Sequence, residues 1–147
     1  MANFRYKPAT VLLIEDDDID AKSVERAFKK LKIGNPIIRA KDGVMALELL
    51  RDGNVSRPNL ILLDLNMPRM GGIEFLAELR QDDNLRNSVV FVLTTSKDDQ
   101  DKLAAYEKNI AGYIVKENLQ LGFSDLVNLL DCYWKIVELP DLETDSE

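Results

Sequence analysis

The chain has no histidine and a single cysteine, Cys132. Without histidine there is no Ser-His or Cys-His catalytic pair and no histidine-ligated zinc. One cysteine allows no internal disulfide. Long apolar runs are missing, and the N-terminus lacks a secretory apolar core, so a cytoplasmic protein is expected. Positive charge is in deficit: 19 Lys and Arg face 26 Asp and Glu, a net charge of -7. That argues against nucleic-acid binding, which needs basic side chains to neutralise phosphates, and against attraction to anionic membranes. What remains is ordinary for a soluble globular chain, with 46% hydrophobic and 31% charged residues in 147 positions. That length suits one domain with a sizeable core. The domain is expected over residues 1–140, followed by an acidic, fraying tail at 141–147.

Strand-like and helix-like segments alternate. Strands are expected at Thr10–Ile14, Pro36–Ala40, Leu60–Asp64, Val89–Thr94 and Gly112–Val115. The first helix is expected from about Asp18 to Lys32, with Val24, Ala27, Phe28 and Leu31 on one face. Gly34-Asn35-Pro36 stops it. The second covers Val44–Arg51, and the third Ile73–Arg80 with Ile73, Leu76, Ala77 and Leu79 inward. The fourth covers Asp98–Asn109, capped by Ser96 or Asp98, and the fifth runs from near Ser124 to about Glu138. Repeated strand-then-helix units imply a doubly wound, five-stranded parallel sheet with helices on both faces and right-handed crossovers.

In such a sheet ligands bind beyond the carboxyl ends of the strands. The first strand ends in Glu15-Asp16 and the third in Asp64. Acids after a strand often serve only as caps for the next helix, and that suffices for Asp17 and Asp18. Neighbouring parallel strands, however, would bring Glu15, Asp16 and Asp64 together. Such a cluster needs a cation or bound protons, and a hard divalent ion held by oxygens, Mg2+, fits best. The turn Asn66-Met67-Pro68-Arg69-Met70-Gly71-Gly72 can add a backbone carbonyl to the shell. A carboxylate beside a divalent cation can also accept a phosphoryl group. The fourth strand ends in Thr94, whose hydroxyl can bond a phosphoryl oxygen, and the fifth in Lys116, whose ammonium can pair with phosphate.

Acid, acid, hydroxyl and lysine at the ends of strands one, three, four and five resemble the response-regulator receiver domains of two-component signalling. The resemblance rests on Leu13-Ile14-Glu15-Asp16-Asp17, on Leu62 through Gly72, on Leu93-Thr94-Thr95-Ser96 and on Gly112-Tyr113-Ile114-Val115-Lys116, within roughly Thr10 to Leu130. It implies the flavodoxin-like strand order 2-1-3-4-5 and no enzymatic turnover beyond the domain's own phosphorylation and dephosphorylation. It implies that Asp64 accepts a phosphoryl group from a sensor kinase phosphohistidine. It further implies that Asp16, Asp64 and the main-chain carbonyl of Asn66 ligate Mg2+, with Glu15 acting through water. Thr94 and Lys116 would grip the phosphoryl oxygens, and Tyr113 would be the switch aromatic. One position departs from the family: Glu117 stands where proline usually follows the lysine in a cis bond. A non-proline cis bond costs about 2.5–4 kcal/mol, so the loop is either trans and reshaped or cis and strained.

The fifth helix is unusually apolar, its apolar arc spanning roughly 200° against about 100° for an ordinary surface helix. With only this helix and a short tail after the receiver-like segment, output is expected through protein contacts. A homodimer face of fourth helix, fifth strand and fifth helix is expected, centred on Tyr133 and Trp134 with Val127, Leu130 and Val137. The ending Tyr133-Trp134-Lys135-Ile136-Val137-Glu138-Leu139-Pro140 resembles small stand-alone regulators paired with cyanobacterial and bacterial phytochromes, which makes a phytochrome the expected kinase. Two other readings stand beside this one. A haloacid-dehalogenase-like phosphatase wants a second Asp where Asn66 stands. A pseudo-receiver would dimerise without being phosphorylated, and Glu117 is its main support.

Overall fold

A computed structural model describes residues 9–140; the expected acidic tail at 141–147 lies outside the described residues. The elements follow in the order β1 (Thr10–Ile14), α1 (Asp18–Lys30), β2 (Ile37–Ala40), α2 (Gly43–Arg51), β3 (Asn59–Leu63), α3 (Gly72–Gln81), β4 (Val89–Thr94), α4 (Asp99–Glu107), β5 (Gly112–Val115) and α5 (Phe123–Ile136). All neighbouring strands pair in parallel, in the order β2-β1-β3-β4-β5. This is the expected flavodoxin-like α/β sheet.

The central strands are apolar throughout because both of their faces are covered. Leu12, Ile14, Ile61, Leu63, Val90 and Val92 face one core with Leu47, Phe75, Leu76 and Ala105. Their neighbours Val11, Leu13, Leu60, Leu62, Phe91 and Leu93 face a second core with Val24, Phe28, Leu126 and Trp134. Strand periodicity therefore assigns α2, α3 and α4 to one face and α1 and α5 to the other. Asp17 caps α1 by accepting the Ile19 and Asp20 amides, and Asp98, the second of the two expected candidates, caps α4.

Several boundaries differ from expectation for local reasons. α1 ends at Lys30, because Lys32 turns left-handed (φ 58°) and the Ile33 amide reaches back to the Phe28 carbonyl. Asn109 does the same after α4, which stops at Glu107. β3 ends one residue earlier, at Leu63, although the Asp64 amide still bonds the Ile14 carbonyl at 3.0 Å. In α3, Phe75 is fully buried, whereas Ile73 and Ala77 are only half-buried.

The inner part of the α5 arc is intramolecular, while Leu129, Cys132 and Ile136 stay exposed. Val127 and Leu130 are completely buried and Trp134 nearly so, with its ring 6.2 Å from Phe28 of α1. Tyr133 is half-buried and meets Phe91 edge-on at 5.1 Å. Of the residues expected on a dimer face centred on Tyr133 and Trp134, the structure therefore takes away Trp134, Val127 and Leu130: α1 and the sheet already cover them. α5 also ends at Ile136, with Val137 extended and exposed.

Candidate functional site

The carboxyl ends of β1, β3, β4 and β5 converge on one acidic pocket. Glu15 and Asp16 follow β1 directly, and the Glu15 amide bonds the Ala40 carbonyl at 3.0 Å, extending the sheet by one rung. Asp64 follows β3. Carboxylate oxygens of Glu15, Asp16 and Asp64 lie within 4.8 Å of one another, with Asp16 exposed and the other two buried. The Asn66 amide donates to Asp64 Oδ1 in a long bond of 3.4 Å.

The loop after Asp64 is fixed by close packing. A Cβ at Gly72 would lie 2.7 Å from both the Asp64 carbonyl oxygen and Leu65 Cα, so only glycine lets α3 start here. Arg69, itself left-handed, pairs with Asp42 at 3.1 Å and ties the loop to α2, whose Met45 amide Asp42 also caps.

Thr94 ends β4 with no exposed surface, and its Oγ1 accepts the Ser96 amide at 3.3 Å. The Tyr113 hydroxyl donates to the Ser96 carbonyl at 3.1 Å, so Thr94 and Tyr113 hold the same residue from two sides. Burial raises the Tyr113 phenol pKa, and the nearby acidic charges work in the same sense. Lys116 closes the pocket from β5. Its Nζ donates to Glu15 Oε1 at 2.9 Å and to Asp20 Oδ2 at 2.7 Å. Among the described residues the only cis peptide bond is Arg57–Pro58, so Lys116–Glu117 is trans. The chain forms a 3-10 turn there, Lys116–Asn118, and Glu117 points out to Lys97 at 2.6 Å rather than into the pocket.

Two contributors escaped the sequence reading, Asp20 and Arg39. Arg39 of β2 donates through Nε and Nη2 to the Glu15 carbonyl at 3.0 and 2.8 Å, and through Nη1 to Asp18 at 2.6 Å. It clamps the backbone at which β1 turns into the pocket. Asp20 lies in the acidic first turn of α1, which starts three residues after Glu15, and that closeness was the available signal.

The electrostatics follow from burial. Burial pushes the Glu15 carboxyl up to about 7; its bond to Lys116 opposes the rise, and the Asp64 charge adds to it. For Lys116, burial works against the ammonium, but the bonds to Asp20 and Glu15 and the charges of Glu15 and Asp64 prevail and raise its pKa. The donor set is three carboxylates with no sulfur or imidazole, which fits a hard, oxygen-seeking divalent cation.

Residues 11–129 match the response regulator receiver domain family. The chain belongs to that family. It is a two-component signalling protein rather than an enzyme, which removes the phosphatase alternative. Across 95% of its length it is 36% identical to response regulator Rcp1 of Synechocystis sp., covering 99% of that protein. The Mn2+-bound crystal structure of Rcp1 superposes with a TM-score of 0.79 at 36% identity, over 90% of this chain and 99% of that one. The phosphorylated cyanobacterial phytochrome response regulator RcpA superposes with a TM-score of 0.81 at 31% identity, over 91% and 99% of the two chains. A response regulator in red light signalling of R. palustris gives a TM-score of 0.74 at 29% identity, over 91% and 99%. Receiver domains partner with sensor histidine kinases, and this one gathers the acidic triad at its strand ends. No helix among the described residues is long and apolar enough to cross a membrane.

Proposed function

We propose that this chain takes a phosphoryl group onto Asp64 from the phosphohistidine of a sensor kinase, a phytochrome, and signals through protein contacts in the cytoplasm. The observation that carries this is the position of Asp64: buried after the central strand, with two carboxylates in reach and Thr94 and Lys116 on the adjoining strand ends. In the transfer, an Asp64 Oδ bonds to phosphorus as the P–N bond to the kinase imidazole breaks, its electron pair returning to the ring nitrogen. Asp16, Asp64 and the Asn66 carbonyl would hold Mg2+, with Glu15 acting through water. When bound, the cation offsets the charge of the phosphoryl group. Thr94 and Lys116 take the phosphoryl oxygens. As Thr94 turns to the phosphoryl group it gives up the Ser96 amide, and Ser96 then no longer holds the Tyr113 hydroxyl. The likeness of this chain to the cyanobacterial phytochrome response regulator RcpA supports a phytochrome as the kinase. For output we propose a homodimer face on α4, β5 and α5, carried by exposed Leu103 and Tyr106 of α4, half-buried Tyr133 of α5 and Val137 just after it.

Incubation with acetyl phosphate and Mg2+, then with a phosphorylated phytochrome kinase, tests the core of this. Intact mass should rise by one phosphoryl group in each case. No uptake from either donor would favour the non-phosphorylated pseudo-receiver. Light scattering with and without beryllofluoride tests the dimer, and a monomer in both states rules it out.

The pocket should also show in the pH dependence of stability. Without Mg2+, the Glu15 carboxyl ionises near 4.5 when unfolded and near 7 when folded. Between those values the folded state holds the extra proton, so stability falls as pH rises, by on the order of 3 kcal/mol at most. Denaturant titrations should show this decline in the wild-type and lose it in Glu15→Gln. Millimolar Mg2+ binds the ionised cluster and should restore stability above pH 7. Asp16→Ala should remove that Mg2+ response and, without Mg2+, should melt higher than the wild-type, because a repelling charge is gone.

A further inference from the structure

Lys116 does not bond Asp64 in the resting chain. Among the described residues its hydrogen bonds go to Glu15 and Asp20, and an ammonium has three donors to place. The two acceptors differ in their access to water. Glu15 is 2% exposed, whereas the Asp20 side chain is 30% exposed. A buried carboxylate that loses its cation is left without a partner, while a half-exposed one is rehydrated. Lys116 therefore gives up Asp20 more cheaply than Glu15. Asp20 is also aimed: its amide is fixed at 3.1 Å on Asp17, the cap of α1, so its carboxylate is carried on an anchored first turn.

We infer that Asp20 is a positioning residue that holds Lys116 off Asp64 at rest, and that Lys116 pivots on Glu15 away from Asp20 to meet a phosphoryl group. This rests on the reading of Asp64 as phosphoacceptor and Lys116 as its phosphoryl partner. Asp20 then tunes how readily the pocket loads, without touching the phosphoryl group. Its loss makes the loaded state easier to reach, because the lysine no longer has to break an ion pair.

The test is calorimetric titration with beryllofluoride at saturating Mg2+, in a double-mutant cycle. Asp20→Asn should tighten binding about fivefold, the scale of a partly exposed ion pair. In a Lys116→Ala background the same change should do nothing, and Asp20→Glu should return the affinity toward wild-type. Asp18→Asn removes equal charge from the same helix and should not reproduce the gain. Wild-type affinity in Asp20→Asn, an equal gain without Lys116, or an equal gain in Asp18→Asn overturns the inference. A second readout needs no phosphoryl group: reductive methylation of Lys116, followed by mass spectrometry, should speed up in Asp20→Asn and in Asp20→Ala. Unchanged labelling in both refutes the clasp. Faster labelling in a chain that binds no beryllofluoride keeps the clasp and refutes the phosphoacceptor reading instead.

Discussion

Asp64→Asn should abolish phosphoryl uptake from acetyl phosphate while leaving the fold intact. The amide keeps the shape of the carboxylate but has no anionic oxygen to attack phosphorus. The side chain is buried at the end of β3, where a larger or smaller residue would disturb the packing, and Asn does neither. Stability without Mg2+ should increase by about 1 kcal/mol, a few degrees in melting temperature, because one of three clustered negative charges is gone. Intact mass and thermal melting measure the two effects together. Stoichiometric phosphorylation of the mutant at some other residue would remove Asp64 from the centre of the proposal.

The largest stability effect should come from Trp134→Ala. The indole lies under α1 against Phe28, and its loss opens a cavity in the second core. Aromatic-to-alanine changes of this kind cost about 3–5 kcal/mol, roughly 10–15 °C in a chain of this size. Trp134→Phe should cost much less, since the ring stack survives and the indole Nε1, buried with no hydrogen-bond partner, is removed. Denaturant unfolding of both variants, with light scattering, separates this role from a contact between copies. A Trp134→Ala protein that kept its stability but changed its assembly state would return the residue to the interface.

That contrast marks what the sequence could and could not tell. β1, β4 and β5 were read to the residue, since apolar runs ending in acid, hydroxyl or lysine punctuate the chain plainly. The triad was legible for the same reason: strand ends in a parallel sheet share one edge. The direction of the α5 arc was not, because periodicity measures its width but cannot say which part α1 covers. Phe75 was missed on α3 because polar Glu74 and Glu78 flank its side of the turn, and only the sheet beneath decides its burial. The Lys116 clasp joins residues 101 and 96 positions apart, a pairing that only the tertiary fold creates. Glu117 drew attention by replacing proline, yet its partner Lys97 was invisible until β4 and β5 were laid side by side.

α4 has only one buried side chain, Ala105, while α5 anchors four. With so little apolar surface removed from water, α4 has little to lose by detaching, and its local opening free energy should sit far below that of the sheet. Amide hydrogen exchange should find it the first helix to open and α5 among the last. Loading of the pocket need not deform the whole domain. It has only to tip the least anchored element, which already borders the Thr94 strand end and Ser96.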